Sequence, residues 1–255
     1  MTILKIYNPF NAPVYHEKTV ESTMAFSRRL AQRGCPHGTV ITADFQKAGR
    51  GRIPGRTWQT ERGLNLMFTI LLRFPSIEEI PAALTLRIGL TLLAAIEDFT
   101  PSLKDRVMVK WPNDIIIDNK KIAGILCEAE CGNVHAGVGI NFAQKDFPLS
   151  LSKKASSIAL VCGREIDPRR RFCLLEKILE RLCIELVNKK TDEWKSRLED
   201  RLYKKNEKVI FTEGAAGSGR EVHGRLKGIT EGGELLIIPD GETQARPFVT
   251  GELMF

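Results

Sequence analysis

The chain has 255 residues, of which 43% are hydrophobic and 27% charged, a balance typical of a globular protein with a sizeable core. Its net charge of +7 suits an anionic ligand, an acidic partner or nucleic acid, and charge alone does not choose among them. No uninterrupted apolar run reaches the roughly 18 residues of a membrane span, and the first residues do not resemble a signal peptide, so we expect a cytoplasmic protein without a membrane partner. The six cysteines show no metal-site spacing and predict free, buried thiols.

The first four fifths of the chain alternate predicted helices and strands. The first helix follows Ser22 and Thr23, either of which supplies an N-cap oxygen, and Gly34 stands where a left-handed residue ends such a helix. Asp167 and Pro168 are typical of an N-cap and first helical residue, and open a long helix. The predicted helices cover 24–33, 81–99, a long segment from 168, and 192–203. The predicted strands cover 39–45, 64–72, 107–111, 115–117, 121–130 and 134–140.

The pattern changes near Lys208, where short strands begin to alternate with Gly-rich turns. These strands cover 209–212, 221–229, 234–239 and 245–249. An all-β unit of about 50 residues with this spacing is typical of an SH3-like barrel. We therefore predict two domains, 1–204 and 205–255.

The loop 49–58 combines glycines, arginines and an aromatic residue in the order Gly-Arg-Gly-Arg-Ile-Pro-Gly-Arg-Thr-Trp. Its glycines allow backbone N–H groups to approach an anion, and Arg50, Arg52 and Arg56 are planar donors suited to phosphate or carboxylate. Trp58 can stack on a base or an apolar ring. The spacing matches neither a Walker A motif nor a dinucleotide fingerprint. The alternative is a solvated basic loop or an RGG-like contact to nucleic acid.

A second segment, 110–114, places Lys110 at the end of an apolar strand, before Trp, Pro and two oxygen-bearing side chains. A lysine in that place is partly desolvated, a cost that an anionic partner offsets. Asn113 and Asp114 offer oxygens suited to Mg²⁺, or alternatively to a plain turn at the strand end.

Two further segments place glycines inside strands. Gly124 indicates a bulge or the close approach of a ligand. Gly137 and Gly139 share one face and leave a flat trough, at whose end Asn141 offers both a donor and an acceptor. The alternative for each is tight packing against a neighbouring layer.

Together with Ser22 and Thr23, these segments resemble the catalytic domain of the biotin–protein ligases, of the bacterial biotin–acetyl-CoA-carboxylase ligase type. The small β tail is similar in position and size to the C-terminal domain of that family. The resemblance implies an α+β fold, with a central mixed or antiparallel sheet and helices as in class II synthetases, plus a small C-terminal SH3-like barrel. It also implies an ATP-dependent ligase that activates biotin as biotinyl-AMP, with Mg²⁺, and transfers biotin to a lysine of a biotin carboxyl carrier protein.

The resemblance further implies roles for individual residues. Those expected to contact biotin are Ser22, Thr23, Met24, Gln46, Gly49, Arg50, Gly51, Arg52, Lys110 and Gly124. Those expected to contact ATP are Arg50, Arg52, Arg56, Trp58, Asn113, Lys121 and Asn141, with Trp58 over the adenine. Catalytic roles are implied for Lys110, Arg52 and Arg56, and Asp114 is implied as a ligand of Mg²⁺.

The sequence departs from the family pattern at two places. Met24 stands where family members often have Asn, and the loop is one residue longer than the most familiar spacing, around Ile53 and Pro54. In addition, only 21 residues precede Ser22, too few for the winged helix-turn-helix of bifunctional members. We therefore expect a single-function ligase that does not bind DNA. A homodimer is compatible with the sequence.

Two alternative functions stay open. A lipoate–protein ligase shares the fold and the adenylation chemistry, although the 49–58 loop together with 110–114 favours biotin. A nucleic-acid-binding protein would explain the charge, but it needs exposed aromatic residues among the basic ones, and Trp58 alone qualifies.

Overall fold

The computed structural model describes residues 1–58, 60–187, 193–214 and 219–254. Across these residues the chain forms an eight-stranded sheet with helices, followed by a five-stranded antiparallel sheet. The predicted α+β class is confirmed, and the second sheet is consistent with an SH3-like domain. The predicted division at 204/205 stays a prediction.

The elements are numbered in chain order. The strands of the large sheet are β1 (Thr2–Ile3), β2 (Val14–Glu17), β3 (Thr39–Ala43), β4 (Leu66–Arg73), β5 (Val107–Lys110), β6 (Asp114–Ile117), β7 (Lys120–Glu130) and β8 (Asn133–Ile140). Those of the small sheet are β9 (Lys208–Glu213), β10 (Glu221–Ile229), β11 (Leu235–Pro239), β12 (Arg246–Phe248) and β13 (Gly251–Leu253). The helices are α1 (Thr23–Gln32), α2 (Leu84–Phe99), α3 (Leu149–Ser152), α4 (Ile158–Val161), α5 (Arg171–Val187) and α6 (Glu193–Asp200).

The large sheet is mixed and runs in the order β1-β2-β3-β4-β8-β7-β6-β5. Among the described strand pairs, β2 and β3 run parallel and the others antiparallel. The central strand β4 is buried along almost its whole length, as a continuous apolar run indicates. Helix α1 contacts β3, β4 and β8, whereas α2 contacts β5, β6, β7 and α5.

The contacts of neighbouring residues on β7 and β8 show that α1 and α2 lie on opposite faces of this sheet. On β8, Gly137 faces Met24 at the start of α1. On β7, Gly124 faces the Trp58 ring, whereas its neighbour Ile125 lies beside Gly89 of α2. Successive residues of a strand point to opposite faces, so α1 and the 49–58 loop share one face and α2 covers the other.

The helix ends follow the predicted capping chemistry in two cases. Ser22 is the N-cap of α1, its hydroxyl accepting from the Ala25 amide at 3.5 Å, and Gly34 has a φ of +77°. Asp167 accepts from the Arg169 amide at 2.9 Å, and Pro168 opens a 3-10 turn that continues into α5.

Two other helices differ from the prediction at their ends. Helix α2 begins at Leu84 rather than near 81, because Ala83 takes a left-handed φ of +52° that interrupts the helical path. Helix α6 ends at Asp200, short of the predicted 203, and the predicted start at 192 lies outside the described residues.

The stretch Ile77–Phe99 is long enough for a membrane span and contains an 18-residue window of mean hydropathy 1.6, although charged residues interrupt it. Its helical part is α2, which packs against α5 and the sheet with Leu92, Ala95 and Ile96 fully buried. A core helix passes the same compositional test, and this packing accounts for its apolar character.

All six cysteines are free. Their predicted burial is wrong for Cys131 and Cys173, which are exposed, while the other four are partly buried. Cys131 lies in the turn between β7 and β8, outside both strands, with a φ of +49°.

Within the small sheet the order is β12-β11-β10-β9-β13. Strand β13 was not predicted, because Gly251–Leu253 is too short to show an alternating pattern. Its pairing with β9 brings the chain from 251 to 254 back against the large sheet, where it forms one wall of the site described next.

Candidate active site

Two adjoining cavities lie on the α1 side of the large sheet. The smaller has a volume of about 70 Å³ and the larger about 360 Å³. Five residues line both cavities and lie at their boundary: Gly51, Arg52, Trp58, Asn113 and Lys121. The smaller cavity is otherwise built from α1, Gln46 and the glycine strands, and the larger from 110–114, the segment 147–155 and β13.

A buried hydrogen-bond chain forms one wall of the smaller cavity. The backbone N–H and the hydroxyl of Thr23 both donate to Gln46 Oε1, at 2.8 and 3.0 Å, and the Thr69 hydroxyl donates to Thr23 Oγ1 at 2.9 Å. These hydrogen bonds fix the orientation of the Gln46 amide. Its Nε2 then lies 3.6 Å from Met67 Sδ, which is a weak acceptor. Gln46 Nε2 is therefore oriented and ready to donate to a stronger acceptor on a ligand.

The glycines in β7 and β8 are required by close contacts. A Cβ on Gly139 would lie 2.6 Å from Trp58 Cε2, and one on Gly124 would lie 3.3 Å from Trp58 Cζ3. A Cβ on Gly137 would lie 3.0 Å from Met24 Sδ. The trough that the glycine spacing predicts is thus covered by the indole of Trp58 and the thioether of Met24. Met24 thus gives this part of the trough an apolar cover.

The loop 49–58 is folded into a small hairpin. The Trp58 amide donates to Gly49 O at 3.0 Å, and the Gly51 amide donates to Arg56 O at 2.9 Å. Ile53 accepts from the Arg56 amide at 3.1 Å, and the turn is closed by a residue with φ of +82°, Gly55. The additional residue of this loop lies at the hairpin tip, so it leaves the paired glycine positions in place.

The three loop arginines contact acceptors outside the loop. Arg50 Nη2 lies 3.5 Å from Glu128 Oε2, and Arg52 donates to the Gly251 carbonyl at 2.8 Å. Arg56 binds the Glu252 carboxylate through two hydrogen bonds of 2.7 and 3.0 Å, which raise the pKa of its guanidinium. The Glu252 carboxylate therefore holds Arg56 in the way that a phosphate group would.

Lys110 is the most deeply buried cation of the site, with 2% of its surface exposed at the end of β5. Burial lowers the pKa of its ammonium group to about 8, against the opposing effects of Asp114 and Glu252. The predicted desolvation of this lysine is confirmed. An additional anion beside it would raise its pKa and favour the charged form.

Asp114 and Lys121 form an ion pair, with Lys121 Nζ 2.7 Å from Asp114 Oδ1 and 5.6 Å from the centre of the Trp58 ring. That oxygen of Asp114 is buried and has no donor aligned for a hydrogen bond. The contact is therefore electrostatic, and the oxygen keeps its capacity to bind a further cation. In the part of the chain that the structure describes, no three acidic, His or Cys side chains form a metal cluster.

Two predicted nucleotide contacts are partly used within the protein. The Asn113 side chain donates to the Ile125 carbonyl at 2.8 Å, and the Asn141 side chain donates to the Ser156 carbonyl at 3.0 Å. Both residues line the larger cavity. Their amide groups therefore help to shape it, and each retains its side-chain oxygen as an acceptor.

Several residues at the site were not predicted. Those lining the larger cavity include Gln144, Phe147, Lys154, Glu252, Leu253 and Met254. Gln144 also accepts a hydrogen bond from the buried Asn65 side chain, which in turn accepts from the Phe142 amide at 3.0 Å. These residues belong to segments without a local chemical signature, so only the three-dimensional arrangement identifies them.

Comparison with known proteins agrees with this architecture. Residues 17–143 match the biotin/lipoate A/B protein ligase family. Over 182 residues the chain is 36% identical to the bifunctional ligase/repressor BirA of Bacillus subtilis, covering 68% of this chain and 52% of that protein. It is 28% identical over 225 residues to the biotin–[acetyl-CoA-carboxylase] ligase of Paracoccus denitrificans, covering 85% of this chain and 90% of that protein. The chain spans about half the length of the Bacillus relatives it matches.

A solved structure shows the same fold over nearly the whole chain. The biotin protein ligase from Aquifex aeolicus in complex with biotin and ATP superposes with a TM-score of 0.77 at 29% identity, covering 94% of this chain and 97% of that one. The fold is that of the biotin protein ligases. The chain belongs to the biotin/lipoate A/B protein ligase family.

Proposed function

We propose that this protein is a ligase that joins biotin to the AMP moiety of ATP and then passes biotin to a lysine of a carboxyl carrier protein. The observation that carries this proposal is the pair of adjoining cavities, with the buried cation Lys110 in the wall of the larger one. The smaller cavity suits a compact polar ring and the larger a nucleotide. The Aquifex aeolicus relative, whose structure contains biotin and ATP, supports this assignment.

In the first step, a carboxylate oxygen of biotin forms a bond to the α-phosphorus, and the bond from that phosphorus to pyrophosphate breaks. Two anions must meet for this to happen, so their repulsion has to be cancelled. Lys110, Arg52 and Arg56 supply positive charge for that purpose. Gln46 and Thr23 hold the ureido ring at the far end and keep the carboxylate in line.

In the second step, the amine of the carrier lysine attacks the carbonyl carbon of biotinyl-AMP. The new C–N bond forms as the C–O bond to AMP breaks, and the amine proton is lost to solvent. No side-chain nucleophile of the enzyme is required. A carboxyl carrier domain is supported by the name of the Paracoccus denitrificans relative, a biotin–[acetyl-CoA-carboxylase] ligase.

Asp114 fits a magnesium ion carried by the triphosphate. Mg²⁺ is usually bound by one or two carboxylates together with substrate phosphates, and a buried oxygen of Asp114 has no aligned donor. Bound there, the ion would neutralise the charge of the leaving pyrophosphate. Lys121, now paired with that oxygen, would be released toward the nucleotide.

The test is ATP–pyrophosphate exchange with purified protein, with biotin or lipoate added in parallel. We expect exchange that depends on biotin, and biotin transfer to a lysine of an added carboxyl carrier domain. Exchange with lipoate alone would identify a lipoate ligase. Absence of exchange with both acids, together with salt-sensitive binding to DNA or RNA, would indicate a nucleic-acid-binding protein.

A further inference from the structure

The loop 49–58 belongs to a longer excursion of the chain that leaves the large sheet after β3 and returns before β4. Its two ends meet at Asp44 and Gly63, where the Gly63 amide donates to the Asp44 carbonyl at 2.9 Å. We call these two residues the neck. Gln46, whose amide lies in the wall of the smaller cavity, follows Asp44 of the neck by two residues. Any movement of the neck therefore reaches the ligand-binding residues directly.

Both sides of the neck are bound by one buried arginine from a distant part of the chain. Arg171, the first residue of α5, is 6% exposed. Its Nη2 donates to Asp44 Oδ1 at 2.6 Å, and its Nη1 donates to the Gly63 carbonyl at 2.9 Å. Nη1 also donates to the Pro168 carbonyl at 2.9 Å, which anchors the guanidinium to the helix start.

We propose that Arg171 is a positioning residue that clamps the neck and so holds Gln46 and the 49–58 hairpin in their ligand-binding arrangement. A planar guanidinium can bind both sides of the neck at once, whereas a lysine ammonium lacks that fork. The His16 imidazole on β2 also faces Asp44, with its Nε2 3.4 Å from Asp44 Oδ1, but His16 does not belong to the loop. The effect on biotin binding rests on the proposed function, but the clamp itself does not.

The chain offers a matched control for the loss of a buried ion pair. Arg87 of α2 is also 6% exposed, and it binds Glu185 of α5 through the side chain at 2.8 Å and the backbone carbonyl at 3.1 Å. This pair joins the same helix α5 to the core but does not contact the neck. Arg87→Met therefore removes a comparable buried contact without freeing the loop.

The experiment is limited trypsin digestion at a temperature well below unfolding, following cleavage after Arg50, Arg52 and Arg56. We expect Arg171→Met to speed this cleavage about tenfold, equivalent to about 1.4 kcal/mol of easier loop opening. Arg171→Lys should give a smaller increase, and Arg87→Met should cleave at the wild-type rate. In the exchange assay, Arg171→Met should raise the KM for biotin about tenfold and lower kcat less than threefold, because bound ligand restores the loop.

Equal acceleration by Arg87→Met, or none in Arg171→Met, would overturn the proposal. If Arg171→Met does not fold, Asp44→Asn and Arg171→Lys perturb the same neck. Cleavage at the wild-type rate in both of these variants would overturn the proposal. A wild-type protein without biotin-dependent exchange would refute the proposed function, while the cleavage rates would still decide whether Arg171 clamps the neck.

Discussion

Replacing Lys110 by Met removes a buried ammonium group while keeping a side chain of similar length. Burial lowers the pKa of Lys110 from 10.5 to about 8, so folding disfavours its proton. At about 1.4 kcal/mol per pKa unit, this corresponds to roughly 3 kcal/mol of instability at neutral pH. The lowered pKa already includes the attraction of Asp114 and Glu252 for the ammonium group, so roughly 3 kcal/mol is the net cost of the buried charge.

The sign of the pH dependence follows from linkage. Below about pH 8 Lys110 is charged in both the folded and the unfolded chain, and the full penalty is present. Between about pH 8 and the unfolded pKa of about 10.4, the folded protein loses this proton first, so wild-type stability rises. We therefore expect Lys110→Met to be the more stable protein at pH 7, with a difference that shrinks as pH approaches about 10.5.

The assay is urea unfolding of both proteins at several pH values, with the exposed Lys104→Met as the control substitution.

The rate of biotin-dependent exchange by Lys110→Met should fall at least a hundredfold, which corresponds to an activation free energy higher by about 2.7 kcal/mol or more. For the wild type, kcat/KM for exchange should decrease above about pH 8, as the free enzyme loses this charge. A variant with unchanged exchange, or one less stable than wild type at every pH, would refute the reasoning.

Three further predictions follow from the contacts around the loop. Glu252→Gln should lower the KM for ATP about threefold in the exchange assay, because the weakened pair frees Arg56 for phosphate; an increase would mean that Glu252 itself helps to bind the nucleotide. Gly139→Ala places a Cβ 2.6 Å from the Trp58 ring and should weaken biotin binding at least tenfold by calorimetry, with little change in Tm. Trp58→Phe should abolish any biotin-induced change in tryptophan fluorescence, and a change that survives would assign the signal to another indole.

Parts of the site could be predicted because their chemistry is local. Lys110 ends the apolar strand β5, and a cation in that place is expected to be partly desolvated, although the strand period puts it on the face of the half-buried Met108 rather than on the α2 face. The glycines at alternate positions of β8 likewise predicted a face that another group approaches closely, and Trp58 occupies it. In both cases the signal lies within a few neighbouring residues.

Other parts depend on contacts between distant segments. Glu252 meets Arg56 across 196 positions, and Arg171 meets Asp44 across 127. Neither pair leaves a periodic or compositional trace, since an isolated glutamate or arginine is usually a solvated surface residue. The left-handed conformation of Ala83, after which α2 begins, could not be predicted either, because alanine favours helix.

The ion pair between Arg56 and Glu252 couples nucleotide binding at the loop to the docking of the small sheet on the large one. On the proposed function, a triphosphate competes with Glu252 of β13 for the single positive charge of Arg56. The free energy that this ion pair contributes to docking the small sheet lowers the affinity for a nucleotide by the same amount. By thermodynamic reciprocity, a bound nucleotide would weaken the docking of the small sheet by that same free energy. On the proposed function, the strength of ATP binding would therefore depend in part on how firmly β13 is held against the large sheet.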